Sequence, residues 1–279
     1  MYSKQQFENL PFKSDIMFGA VLQDLTLAKR VLGVILAEEI PDIDHCEIQK
    51  VMQSNVVSHG VRYDVYIKTS DGTKIYDIEM QTTNNDNLPK RSRYYLSASD
   101  MECLDRGKTY DDLPRTYIIF ICPFDIFEGN NAIYKFENYC VEENLPLNDQ
   151  SYHVFVNTMG TTQRKELYNL MEYINTNIPT DELTSDLNKR LQEVRHDDML
   201  YSTYVHQQQD RLMAEKKARA EGKAEGRAEG RAEGISKAII MLKNIGAAID
   251  TIVSSLMSQY SLSKEEATQK VNEVLASGV

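Results

Sequence analysis

The sequence predicts an α/β fold, a mixed sheet flanked by helices, and three observations carry that expectation. RTYIIFIC at 115–122, behind Pro114, is a nearly unbroken apolar run. Such a run marks a strand buried on both faces, and so a parallel central strand. Residues 61–81, VRYDVYIKTSDGTKIYDIEMQ, alternate like the two strands of a hairpin around Asp71-Gly72. Helical periodicity at 14–37 and again at 90–104 supplies elements to cover the faces of that sheet.

In chain order, Ser14 is placed to N-cap the first helix, with Phe18, Leu22, Leu25, Ala28, Val31, Leu32 and Ile35 at helical spacing. Pro41 ends any continuation. CEIQKVMQ at 46–53 reads as a strand. In the hairpin, a two-residue Asp71-Gly72 loop pairs Ser70 with Thr73, which puts Asp64 opposite Glu79 and Arg62 opposite Gln81. Alternation places Val61, Tyr63, Val65 and Ile67 on one face, and Arg62, Asp64, Tyr66 and Lys68 on the other. On the second strand Asp77, Glu79 and Gln81 oppose Tyr76, Ile78 and Met80. After 115–122 come strand-like pieces near 132–140 and 151–157, then helices near 163–177 and 181–206.

Composition narrows the function. The 279 residues are 42% hydrophobic and 26% charged, ordinary for a globular protein. No segment approaches the ~20 apolar residues of a membrane span, and MYSKQQFENLPFKSD lacks an apolar signal core. A cytoplasmic protein with no membrane partner is expected. Four cysteines without a Cys-x-x-Cys pair imply reduced thiols rather than a zinc cage or disulfide framework. The five histidines show no ligand spacing. A net charge of −11, from 31 basic and 42 acidic residues, weighs against a protein that coats nucleic acid. It does not exclude an enzyme that touches DNA locally, because an acidic site offset by a metal is itself a source of negative charge.

The hairpin is where chemistry enters. Two carboxylates directly opposite each other repel, and a hard divalent cation between them reverses the sign of that interaction. The competing reading is a pair of acids on a solvated strand face.

The strand–turn–strand with Asp64 and then Glu79-Met80-Gln81, followed by a helix bearing Arg91, Arg93, Tyr94 and Tyr95, resembles the PD-(D/E)XK nuclease superfamily. Within it, the chain is similar to the recombination-promoting nuclease (Rpn)/putative transposase family over about residues 8–175. KSDIMFGAVLQD looks like that family's opening helix, YDVYIKTSDGTKIYDIEMQ like its hairpin and KRSRYYLSASDM like the next helix. The resemblance implies a restriction-endonuclease-like sheet and a metal-dependent DNA endonuclease linked to recombination or mobile DNA. It implies Mg²⁺, with Mn²⁺ as a substitute, held by Asp64, Glu79 and the Met80 carbonyl, with Asp15 joining from the first helix. For Asp15 the other reading is a carboxylate favoured by the helix dipole. Superfamily members most often carry Lys where Gln81 stands, so Gln81 would orient water and a neighbouring Arg62 or Arg91 would supply charge. Arg62, Arg91 and Tyr94 are the expected DNA contacts, with a plain salt bridge as the other reading of Arg62. The alternative function is a weak or inactive relative that binds DNA or a protein partner.

RAEG-KAEG-RAEG-RAEG at 219–234 puts Arg219, Lys223, Arg227 and Arg231 in one stripe and four glutamates roughly opposite. Like charges at i,i+4 and repeated glycines weaken an isolated helix, so a mobile linker and a helix that pairs between copies both stand open. In 235–279 the Ser263-x-x-Glu266 capping box precedes an apolar run, the mark of a small helical unit. The expected division is 1–178 for the nuclease-like domain, 179–214 for a helical extension, 215–234 for the repeat and 235–279 for the C-terminal unit. A homo-oligomer formed through the tail is the assembly that the second of the two readings of the repeat implies.

Overall fold

The computed structural model describes residues 3–52, 60–84, 87–104 and 107–276, so Gln53 of the expected 46–53 strand lies outside the described residues. In chain order the elements are α1 (Lys4–Glu8), α2 (Asp15–Leu22), α3 (Leu25–Leu36), β1 (Ile43–Met52), β2 (Val61–Thr69), β3 (Lys74–Met80), α4 (Leu88–Cys103) and β4 (Arg115–Cys122). There follow β5 (Ile133–Phe136), β6 (Tyr139–Cys140), β7 (Leu145–Pro146), β8 (Ser151–Asn157), α5 (Lys165–Thr176), α6 (Glu182–Arg195), α7 (Asp198–Asn244), α8 (Ile249–Tyr260) and α9 (Lys264–Ala276). The chain forms two compact units, Met1–Val205 and His206–Val279.

The first unit is built on a six-stranded sheet of order β1-β2-β3-β4-β8-β5. β3, β4 and β8 run parallel, while β1, β2 and β5 are antiparallel to their neighbours. The apolar run 115–122 is the central parallel strand, and all of it but Arg115 is buried. One face packs Val65, Ile67, Ile78, Ile119, Ile121 and Val154 against helices α2, α3, α5 and α6. The other face packs Ile75, Ile118, Phe120 and Phe155 against Leu88 and Tyr95 of α4. This is a mixed sheet flanked by helices, as the sequence predicts.

Three local expectations are corrected. The 14–37 helix is two helices, because the Asp24 carboxylate accepts the Thr26 and Leu27 amides at 3.0 and 3.2 Å and N-caps a new one. Ser14 occupies the N-cap of α2 without a side-chain capping bond. The hairpin loop spans Ser70–Thr73 rather than two residues, with positive φ at Gly72 alone, so the type I′ turn is absent. Asp71 organises it instead, accepting the Thr69 hydroxyl at 2.6 Å and the Thr73 amide at 3.0 Å. A symmetric four-residue loop leaves the register unchanged, so Val65 pairs with Ile78 and Lys68 with Ile75. Finally, β2 does not alternate cleanly: Val61, Tyr63 and Tyr66 face α4, whereas Val65 and Ile67 face the other core. The switch occurs at Asp64. On the neighbouring strand Gln49, between the Ile48–Val65 and Lys50–Tyr63 pairs, has a left-handed φ of 50°.

In the second unit the Ala-Glu-Gly repeat is helical, part of the 47-residue α7. Ile235 and Ile239 of α7 pack with Ile252, Val253 and Leu256 of α8 and Ala267 and Val271 of α9. The predicted capping box forms, with Glu266 Oε2 accepting the Ser263 amide at 2.8 Å and Ser263 Oγ accepting the Glu266 amide at 3.2 Å. Gly234 lies against the Tyr260 hydroxyl, whereas a side chain at Gly222, Gly226 or Gly230 would meet nothing within 4 Å.

Two glycine substitutions are expected to move stability in opposite directions. A Cβ at Gly160 would overlap the Asn131 carbonyl, so Gly160→Ala should lower unfolding free energy by about 3 kcal/mol in a urea titration. Gly222→Ala should raise the helicity and stability of the second unit by about 1 kcal/mol, read by circular dichroism and melting.

Candidate active site

The site lies on the α4 face of the sheet, where the parallel strands β3 and β4 end. Asp64 and Glu79 face each other at the point where the β2–β3 ladder opens. In place of a backbone bond, the Asp64 amide donates to Glu79 Oε1 at 2.7 Å. Reciprocally, the Met80 amide donates to Asp64 Oδ2 at 3.1 Å. Each carboxyl thus closes the gap with an amide of the opposite strand, and the expected facing of the two acids is realised in this form. Both are buried, at 8% and 1% exposure. The amide of Met80 turns toward Asp64, and strand geometry turns its carbonyl to the same side while its side chain enters the core.

α4 brings the cation. Asn87 accepts the Lys90 amide at 3.1 Å and caps the helix, and Pro89 fits its first turn. One turn in, Arg91 donates to Glu79 Oε2, to Gln81 Oε1 and to the Tyr95 hydroxyl, each at 2.8 Å. Its guanidinium lies over the rings of Tyr95 and Phe120, 4.9 and 5.3 Å from their centroids. Gln81 is engaged at both ends of its amide, through Arg91 and through the Thr83 carbonyl. Of the two arginines considered for the missing lysine charge, the structure places Arg91 on the acids; Arg62 is exposed on β2. Tyr94 is 43% exposed and Tyr95 buried.

The helix is held at fixed depth. Ser92 Oγ lies 2.5 Å from His153 Nδ1 on β8, and the Tyr63 hydroxyl donates to the Tyr95 carbonyl at 2.8 Å. Asp15 is exposed in the first turn of α2, near enough for its charge to act on Asp64. α2 packs against β1 and β2 here, with Gly19 beside Ile48 and the Asp64 carbonyl.

The electrostatics are those of an over-acidic pocket. Burial, then repulsion from Asp15, pushes Asp64 above the usual carboxylate range, against the Met80 amide and the Arg62 and Arg91 charges. Burial and the Asp64 charge push Glu79 up in the same way, against the Asp64 amide and Arg91. Asp77, fully buried two residues earlier, is raised well above its ordinary value by burial and by Glu79 and Asp64. With no donor within hydrogen-bond geometry of either oxygen, burial makes the ionised form of Asp77 the costly one.

Residues 12–145 match the family model described as PD-(D/E)XK nuclease family transposase. Over this segment the chain is similar to that nuclease family. No curated protein and no solved structure matches the chain. The match in the nuclease-family domain includes β1 to β4 and the whole acid–arginine cluster, and it ends before β8 and the Ser92 partner His153. Among the described residues, no group of three or more His, Cys, Asp or Glu side chains is arranged to hold a metal ion. The donor set is nevertheless of the hard-oxygen kind that suits Mg²⁺, namely two buried carboxyls, a strand carbonyl and a nearby aspartate. Burial raises all three acids, Asp64, Asp77 and Glu79, which marks a pocket where the charged carboxylates lack full compensation.

Three participants escaped the sequence reading. Asp77, which alternation places on the Glu79 face, has no role in that reading, and its burial comes from the sheet packed on both sides. Tyr95 is not among the expected site residues, although the Arg91–Tyr95 spacing of four on a helix is a legible contact signal. The Ser92–His153 link joins residues 61 positions apart and left no local trace.

The raised acids make a linkage prediction for the metal-free protein. Between about pH 4, where unfolded carboxylates titrate, and about 8, to which Glu79 is raised, the folded state binds protons that the unfolded chain has released. Stability contributed by the protonated acids is therefore full below pH 4 and is lost as pH rises through this window. Denaturant titrations across pH 4–8 in chelator should show that loss, and Asp64→Asn should flatten it.

Proposed function

We propose that the chain is a metal-dependent DNA endonuclease that hydrolyses phosphodiester bonds, linked to recombination or mobile DNA. The observation that carries the reading is the reciprocal Asp64–Glu79 arrangement at the opened end of the hairpin, with Arg91 bridging Glu79 and Gln81. Asp64, Glu79 and the Met80 carbonyl would hold Mg²⁺, or Mn²⁺ in its place, with Asp15 contributing from α2. When bound, the ion supplies Lewis-acid stabilisation of the phosphate and a water of lowered pKa. The chain's own residues do the rest. Gln81 Oε1 retains a second lone pair, which can orient a water, while its first holds Arg91. Arg91 brings to the scissile phosphate the positive charge that a lysine would otherwise bring. Arg62 and Tyr94, both exposed, are the DNA-backbone contacts.

A second reading is a relative that keeps the fold but does not cut, binding DNA or a protein partner and assembling through its tail. Two observations favour it: Arg91 already satisfies Glu79, and the net charge is −11. For the tail, Gly222, Gly226 and Gly230 lie open between the basic and acidic stripes of α7, which suits pairing between two copies. The division into a nuclease-like domain, helical extension, repeat and C-terminal unit is part of the same proposal, as is a cytoplasmic location. No helix among the described residues is long and apolar enough to cross a membrane.

Plasmid nicking in Mg²⁺ separates the two readings. Asp64→Ala and Glu79→Ala should each reduce nicking to background, while Gln81→Ala should cost about 10–100-fold, the usual penalty for a group that positions others. Parent protein that binds plasmid in a gel-shift assay without nicking it would favour the non-cutting relative.

A further inference from the structure

We propose that Arg91 is the resident counter-ion of the acid pair and exchanges with the incoming divalent cation, leaving Glu79 as the cation arrives and thereby becoming free to reach phosphate. The inference rests on the nuclease reading for the identity of the cation and the phosphate; the exchange itself rests on geometry.

Both oxygens of Glu79 are engaged in the structure, Oε1 by the Asp64 amide at 2.7 Å and Oε2 by Arg91 at 2.8 Å. Of these two donors only one can move. The Asp64 amide belongs to the sheet, and Glu79 itself has a side chain 2% exposed, whereas the Arg91 side chain is 27% exposed. A lysine at this position could lose its proton to make room for a second cation, but a guanidinium cannot, so like-charge repulsion must be relieved by displacement. Displacement of the helix is blocked by the Ser92–His153 and Tyr63–Tyr95 bonds on either side of Arg91's turn. What remains is a swing of the side chain about its own torsions. The faces of Tyr95 and Phe120, 4.9 and 5.3 Å from the guanidinium while it bonds Glu79, lie beside that path and attract a cation that leaves the carboxylate. Gln81 releases it at the same time, which frees the amide oxygen for water. The two tasks assigned to Gln81, holding Arg91 and orienting water, are then successive rather than simultaneous.

The test is Mn²⁺ titration calorimetry on the full chain, comparing the parent with Arg91→Gln, Tyr95→Phe and Asp64→Asn, beside metal-free melting curves and plasmid nicking. Removing the competing cation should tighten Mn²⁺ binding by about tenfold or more in Arg91→Gln, even as nicking falls. Tyr95→Phe removes one of the guanidinium's acceptors and should tighten binding by about two- to fivefold. Arg91→Gln that melts like the parent and binds Mn²⁺ equally or more weakly would overturn the exchange, and if that variant does not fold, the direction of the Tyr95→Phe change decides. Mn²⁺ binding that survives Asp64→Asn would place the ion elsewhere and overturn the exchange together with the ligand assignment. Mn²⁺ binding that Asp64→Asn abolishes, in a parent that never nicks plasmid, would refute the nuclease reading and leave the exchange to be judged by the affinities.

Discussion

Everything distinctive in this site follows from burying three carboxyl groups, Asp64, Asp77 and Glu79, on one face of a sheet with the Arg91 guanidinium against Glu79. Charges removed from water must be paired, neutralised by protonation or offset by an ion. The chain uses the first two: Asp64 and Glu79 accept amides of the strand opposite, Arg91 closes the remaining oxygen of Glu79, and Asp77 keeps its proton. The third is what the proposed function adds. An apo site this acidic is held together against its own repulsion, and that is the condition in which a divalent cation gains most from entering.

The constraint reaches into the backbone. A carboxyl that accepts the amide of the facing strand has to enter the space between the strands, so the β2–β3 ladder ends there. At the same point β2 turns its side chains from one core to the other, and Gln49 on β1 adopts a left-handed conformation. Sparsely populated backbone conformations persist only where the surroundings over-determine them. Here the surroundings are α2, with Gly19 beside Ile48 and the Asp64 carbonyl, and α4, anchored through Ser92 and Tyr95. The two helices approach the same hairpin from opposite faces, and each delivers a charged residue at its first turn, Asp15 on one side and Arg91 on the other.

The second unit obeys a different rule. Its core is a few aliphatic side chains of α7, α8 and α9, closed by a capping box and by the approach of Tyr260 to Gly234. Along the repeat before it, the ion pairs run at i,i+4, as between Lys217 and Glu221 or Glu233 and Lys237, and all are exposed. Such pairs contribute only a few tenths of a kcal/mol each. The helix through 219–230 therefore owes little to packing within its own unit, whereas Arg231, which donates to the Tyr260 carbonyl, and Gly234 are drawn into it.

How much of this was legible beforehand depended on whether a feature was local. The apolar run 115–122 declared a central strand because burial on both faces leaves no polar positions, and the Ser263–Glu266 box declared a helix start because both partners lie within one turn. The hairpin register survived a wrong loop, since opening the turn by one residue on each side keeps Asp64 opposite Glu79. The sequence by itself thus determined the main strands, the facing of Asp64 and Glu79, and the nuclease family that residues 12–145 resemble. Only the tertiary structure decided that Asp77 is buried rather than solvated, that β2 changes faces at Asp64, and that Arg91 rather than Arg62 meets the acids. It also decided that His153 braces the helix presenting Arg91. Each of these depends on which residues distant in the chain come to share one desolvated space, and neither periodicity nor spacing along a single chain encodes that.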